Sequence, residues 1–132
     1  NLCRRGGYVL SEDDKAEVTL LSTGSEVSIA VETQQILKMK GISARVVSLP
    51  CWRLFELQEV EYQKNVLAPH TLRIAIEAAV PFGWEKFIGP EGGFIGMHGF
   101  GASGAYQELY KHFRITAEAT VELTIDKLRR NR

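Results

Sequence analysis

Short apolar runs alternate with helix-like segments over most of this chain. The runs at 18–21, 44–49 and 72–76 are rich in Val, Ile and Leu, which is typical of strands buried on both faces. Residues 27–37 carry apolar side chains at helical spacing between the first two runs. Strands that are joined by helices pair in parallel through right-handed crossovers. The pattern therefore predicts an α/β domain around a mostly parallel sheet.

Capping and turn residues mark the ends of these elements. Thr23 and Glu26 match a capping box, so a helix is expected to begin there. Gly41 suits the end of that helix, because glycine readily adopts the left-handed backbone conformation. The remaining elements are expected as helices at 52–57, 59–67, 81–87 and 105–113, a strand at 94–97, and a last helix capped by Thr116.

The beginning of the chain differs from the rest because it is mostly polar. We interpret residues 1–15 as a segment that enters from a preceding domain, and residues 16–132 as a single α/β domain. A length of 132 residues is sufficient for one domain with one buried core.

Charge and hydrophobicity argue against several classes of function. Lys and Arg number 16 together, as do Asp and Glu, whereas a nucleic-acid-binding domain usually carries a basic excess. No apolar run approaches the roughly 20 residues that span a bilayer, and residues 1–5 do not begin a secretory signal. We therefore expect no nucleic-acid or membrane partner, and a cytoplasmic location in which Cys3 and Cys51 stay reduced.

Five residues are candidates for contacts with an anion or with another protein surface: Gly24, Ser25, Glu77, His98 and Ser103. Ligands of open parallel sheets lie beyond the carboxyl ends of the strands, which is where the sequence places the first four. Gly24 and Ser25 lie before a helix, whose free backbone N–H groups suit an anion. His98 and Ser103 belong to a glycine-rich loop, in which a ligand can approach the backbone closely.

Each candidate also has a structural explanation. The turn with Gly24 and Ser25 contains neither GxGxxG nor GxxxxGKS/T, and a capped turn explains it equally. Glu77 lacks a sequence-local partner for acid–base chemistry, so a structural or interface hydrogen bond is its alternative role. His98 fits a surface loop and Ser103 fits a helix N-cap. Because no nucleophile, base and oxyanion hole come together, we expect no catalytic, cofactor-binding or metal-binding residue in this chain.

Several motifs in order resemble the C-terminal domain of transketolase. The motifs are RGGYVL at 5–10, STGSEV at 22–27, RVVSLP at 45–50, RIAIEA at 73–78, Gly83-Trp84 with Lys86, and Ile95-Gly96-Met97 followed by Phe100-Gly101 and Ser103. The likeness covers nearly the whole chain. It departs from the family at Arg114, where a glycine is common, and at Gly104-Ala105, where a proline is often found.

The resemblance implies a three-layer α/β/α fold and a parent enzyme that depends on thiamine diphosphate. Such an enzyme moves a two-carbon ketol unit from a ketose phosphate to an aldose phosphate in the pentose phosphate pathway. In the family, other domains bind thiamine diphosphate and a divalent metal, magnesium or calcium, and the active site forms between two subunits. The resemblance thus implies that this domain supports a homodimer and is inactive alone.

Three other hypotheses remain open at this point. The decarboxylating subunits of 2-oxoacid dehydrogenase complexes share this domain type. A stand-alone module could hold a small anion or another small molecule at the 22–25 turn. An assembly domain could use apolar surface around Trp52, Phe55 and Trp84.

Overall fold

The computed structural model describes residues 2–77, 84–96 and 115–131. Its strands are β1 (Tyr8–Ser11), β2 (Val18–Ser22), β3 (Ala44–Ser48), β4 (Leu72–Glu77) and β5 (Gly93–Gly96). Its α-helices are α1 (Val27–Met39), α2 (Trp52–Glu56), α3 (Val60–Leu67), α4 (Glu85–Ile88) and α5 (Ala117–Arg130), and short 3₁₀ turns cover Leu2–Arg5 and Gly24–Glu26.

The five strands form one sheet in the order β1-β3-β2-β4-β5. The pairs β2–β3, β2–β4 and β4–β5 are parallel, and β1 pairs antiparallel with β3. Ser22 lies opposite Ser48 on one side and Ile76 on the other, so the parallel strands end at one edge. The expected α/β class with a mostly parallel sheet is confirmed.

Helices cover both faces of the sheet. On one face Leu20 packs with β3, β4, α1 and α5 residues in a buried cluster. On the other face Leu21 belongs to a second cluster, which contains Phe55, Val66 and Phe87 from α2, α3 and α4. Adjacent strand residues point to opposite faces, so both faces must be apolar for this arrangement. The expected three layers are therefore present. None of the described helices combines the length and hydrophobicity that crossing a bilayer requires.

The strand β1 was not predicted. It lies within the polar N-terminal segment and pairs with β3 at the edge of the sheet, with an irregularity between Val9 and Ser11. Its side chains are only half-buried or exposed. An edge strand needs little apolar patterning, because much of its surface faces solvent. A short edge strand of four residues therefore leaves only a weak hydrophobic pattern in the sequence.

Helical structure begins at Thr23 as expected, because Thr23 is the N-cap residue of the 3₁₀ turn, but the capping-box hydrogen bond predicted for its side chain is wrong. The Thr23 side chain makes no cap hydrogen bond, since its hydroxyl donates to Glu77, and a 3₁₀ turn separates it from α1. The expected cap at Thr116 is confirmed, because its Oγ1 accepts from the Ala119 N–H at 3.1 Å. The predicted helix at 105–113 lies outside the described residues, and the helix predicted at 81–87 is observed as Glu85–Ile88 in the described part.

Candidate functional site

The carboxyl ends of β2 and β4 form the crevice in which ligands of such sheets are expected. From β2 the chain leads through α1 to β3 on one side, whereas β4 is followed by β5 on the other side. Neighbouring strands whose connections lead in opposite directions define a topological switch point. Thr23 follows the last residue of β2, and Glu77 is the last residue of β4.

A hydrogen bond joins these two residues across the crevice. The Thr23 hydroxyl donates to Oε2 of Glu77, and both side chains are half-buried. The carboxylate is an acceptor, and the hydroxyl supplies it with a donor from the neighbouring strand. Sequence reasoning missed Thr23 as a partner of Glu77. The register signals it, because Ser22 pairs with Ile76 and the next positions are Thr23 and Glu77.

The turn before α1 is open on its outer side. Gly24 is exposed at φ +48°, and no atom lies within 4 Å of the position that a Cβ would occupy. Ser25 belongs to the same 3₁₀ turn. Glu26, which follows, is buried with 3% of its surface exposed. A buried carboxylate at this helix N-terminus competes with any external anion for the helix dipole.

The structure thus brings Glu77 together with the 22–26 turn. His98 and Ser103, the other two candidates, lie outside the described residues. Within residues 2–77, 84–96 and 115–131, no three His, Cys, Asp or Glu side chains come close enough to hold a metal ion. The described part of the crevice offers hydrogen bonds and no metal site.

The opposite edge of the sheet carries pockets that the sequence did not indicate. Their volumes are about 310, 320 and 540 Å³, and they open at the amino ends of the parallel strands. The first contains Arg73, whose Nη1 donates to the Phe87 carbonyl at 2.7 Å. Burial lowers the pKa of the Arg73 guanidinium, which nevertheless stays charged. Glu17 and Glu91 line the same pocket, so its walls carry both signs of charge.

Two of the three aromatic residues considered for assembly lie in the core. Phe55 is fully buried and Trp84 is 1% exposed, and both belong to the core cluster under α2 and α3. Trp52 packs edge-on against Trp84, with 4.7 Å between ring centroids. Phe55 and Trp84 therefore cannot belong to an exposed contact surface, whereas Trp52 is half-buried against the core cluster.

Comparison with known proteins identifies the family. The sequence model of the Transketolase-like TK C-terminal domain matches residues 6–116. Over 127 residues the chain is 49% identical to a transketolase of Sinorhizobium medicae, which covers 95% of this chain and 18% of the relative. It is 47% identical over 121 residues to the chloroplastic transketolase of Solanum tuberosum, covering 89% of this chain and 16% of the relative.

A solved structure agrees with this assignment. Transketolase of Pichia stipitis in complex with sedoheptulose-7-phosphate superposes with a TM-score of 0.86 at 38% identity, covering 93% of this chain and 18% of that one. The chain spans less than a fifth of the length of these transketolases. Residues 6–116 match a single domain of the transketolase family, the C-terminal one. The chain belongs to the transketolase family and corresponds to its C-terminal domain.

Proposed function

We propose that this chain is the C-terminal domain of a thiamine-diphosphate-dependent transketolase of the pentose phosphate pathway. The parent enzyme transfers a two-carbon ketol unit from a ketose phosphate to an aldose phosphate. The observation that carries the proposal is the family match over residues 6–116, in a chain that spans about 18% of its relatives. Sugar phosphates are the proposed substrates, since a transketolase of the same fold is known in complex with one.

The proposed role of this domain is structural support of a homodimer, without catalytic activity of its own. The Thr23–Glu77 pair supports the absence of catalysis, because Glu77 has a hydroxyl donor and is engaged in holding two strands together. A threonine hydroxyl is activated as a nucleophile by a stronger base than a carboxylate, such as an amine, so the pair is not proposed to react. The domain contributes a rigid body against which the rest of the enzyme is arranged.

Thiamine diphosphate and a divalent metal, magnesium or calcium, belong to the other domains in this proposal. A diphosphate-bound metal needs several oxygen or nitrogen ligands converging on one point. The described residues bring no three such side chains together, so no step of the reaction is placed on them. A cytoplasmic location and the lack of nucleic-acid and membrane partners stay predictions, and one plant relative is named as chloroplastic.

The activity of the native full-length protein tests the proposal. Purified protein is given a ketose phosphate donor and an aldose phosphate acceptor, with and without thiamine diphosphate and magnesium. Transfer that requires thiamine diphosphate supports the proposal. Decarboxylation of a 2-oxoacid without ketol transfer would instead identify the related dehydrogenase subunit.

The stand-alone binding module is tested separately. Calorimetric titration of the 132-residue chain with phosphate sugars or nucleotides measures binding at the 22–26 turn. Heat of binding that disappears in a Gly24→Asp variant would favour the module, because the added carboxylate repels an anion. No heat at millimolar ligand would count against it.

A further inference from the structure

Apolar side chains are concentrated at the turn between α2 and α3. Leu54 is 41% exposed, Leu57 74% and Val60 64%. These are three of the five large apolar residues exposed in the described part of the chain, and they fall within seven positions. Leu57 and Val60 are three residues apart, so their Cα atoms lie within about 11 Å. We call Leu54, Leu57 and Val60 the α2–α3 surface.

The backbone of this turn is held by its own polar side chains. Gln63 Nε2 donates to the carbonyls of Glu56 and Gln58, at 3.2 and 2.9 Å. Gln58 Nε2 donates to the Leu54 carbonyl at 3.1 Å. Polar side chains therefore hold the backbone of the turn in place. A preorganised apolar surface of this kind loses little conformational entropy when a partner covers it.

The N-terminal segment lies against the same two helices. The Cys51 N–H, just before α2, donates to the Gly6 carbonyl at 3.0 Å. The hydroxyl of Tyr62 in α3 donates to the Gly7 carbonyl at 2.8 Å, and the Arg5 guanidinium lies 4.6 Å from the centre of the Tyr62 ring. Residues 5–7 are thus fixed against the start of α2 and the first turn of α3, the two helices that carry the α2–α3 surface.

We propose that the α2–α3 surface is covered by the domain that precedes this one in the parent enzyme. The inference rests on the proposed function, because the relatives carry more than four fifths of their length outside this region. The exposed charges on these two helices carry both signs, with Glu59 and Glu61 near Arg53 and Lys64, so the covering surface is apolar with a polar rim of mixed charge.

A second copy of this domain fits the surface less well. Three aliphatic side chains cannot supply the roughly 800 Å² per partner of a stable interface between separate molecules. A covalently linked domain needs less, because the linker keeps its effective concentration high, on the order of millimolar. Residues 5–7 are fixed against Cys51 and Tyr62, at α2 and α3, which shortens that linker.

Cysteine labelling of the full-length holoenzyme tests the proposal. Leu57→Cys, Val60→Cys and the control Met39→Cys are reacted with a maleimide, and labelling at each site is followed by peptide mass spectrometry. Met39 is 85% exposed at the end of α1, on the opposite face of the sheet. We expect the thiols introduced at positions 57 and 60 to label at least about tenfold more slowly than the thiol introduced at position 39. Equal rates at the three sites would overturn the proposal, and Val60→Cys serves if Leu57→Cys does not fold.

A photocrosslinking residue at position 57 identifies what covers the surface. Adducts with residues upstream of this domain support the proposal, whereas adducts only with the same turn of a second copy overturn it. Ketol transfer by the unlabelled protein is measured in the same preparation. An active enzyme whose position 57 labels freely would refute the covered surface and leave the proposed function standing, and an inactive one would refute the proposed function.

Discussion

The Thr23 hydroxyl donates a hydrogen bond to the Glu77 carboxylate, which joins the carboxyl ends of β2 and β4 at the switch point of the sheet. The two residues are 54 positions apart in the chain. Their contact occupies the place where many sheets of this architecture bind a ligand. In this domain that place is used to connect two strands.

Removing the Thr23 hydroxyl is expected to destabilise the domain. Thr23→Val keeps the shape of the side chain and removes a donor to Glu77. We expect a loss of about 1–2 kcal/mol in the free energy of unfolding. Hydrogen bonds to charged groups are strong, but the half-buried position of Glu77 reduces the effect. Urea unfolding of Thr23→Val, of Glu77→Leu and of the double variant measures the coupling energy between the two side chains. A double variant whose loss equals the sum of the single losses would show that the two side chains do not interact.

Local sequence patterns predicted most of the fold. The apolar runs located β2, β3 and β4, and the helical spacing located α1, because burial on both faces of a sheet leaves a strong pattern. The edge strand β1 left a weak pattern. The role of Thr23 could not be predicted locally, since its partner is set by the register of β2 against β4. The surface at Leu57 was also missed, because exposure depends on tertiary packing.

Gly6 is expected to be much less tolerant of substitution than Gly41. Both have positive φ, +77° and +82°. A Cβ on Gly41 would meet no neighbouring atom. Gly41→Ala should therefore lower the free energy of unfolding only by the strain of alanine in the left-handed conformation, about 1–2 kcal/mol. A Cβ on Gly6 would collide with the backbone of Cys51 and Phe55, so Gly6→Ala should cost clearly more. Comparable urea midpoints for the two variants would contradict the close approach of the N-terminal segment to α2.

Tyr62 anchors the N-terminal segment through its hydroxyl. Tyr62→Phe keeps the ring under Arg5 and removes the donor to the Gly7 carbonyl, at an expected cost of about 1 kcal/mol. Hydrogen exchange should accelerate at the amides of residues 5–7 and 51, where the segment contacts the start of α2. Unchanged exchange there, alongside unchanged stability, would mean that the hydroxyl does not hold the segment.

Thr116 caps the longest described helix. Thr116→Ala removes the acceptor of the Ala119 N–H and should cost about 1 kcal/mol in the free energy of unfolding, whereas Thr116→Asn should retain most of the stability. Urea unfolding of the two variants checks the difference. Equal losses in both would indicate that packing, and not the cap, determines stability at this position.

The intact mass of the native gene product, recovered from its source cells, shows whether this domain belongs to a larger enzyme. The chain itself has a mass of 14.8 kDa and spans 18% of a transketolase relative. We expect a product of roughly five times that mass, in which this domain follows those that bind thiamine diphosphate. A product near 14.8 kDa, isolated without a partner chain that carries the cofactor, would contradict it.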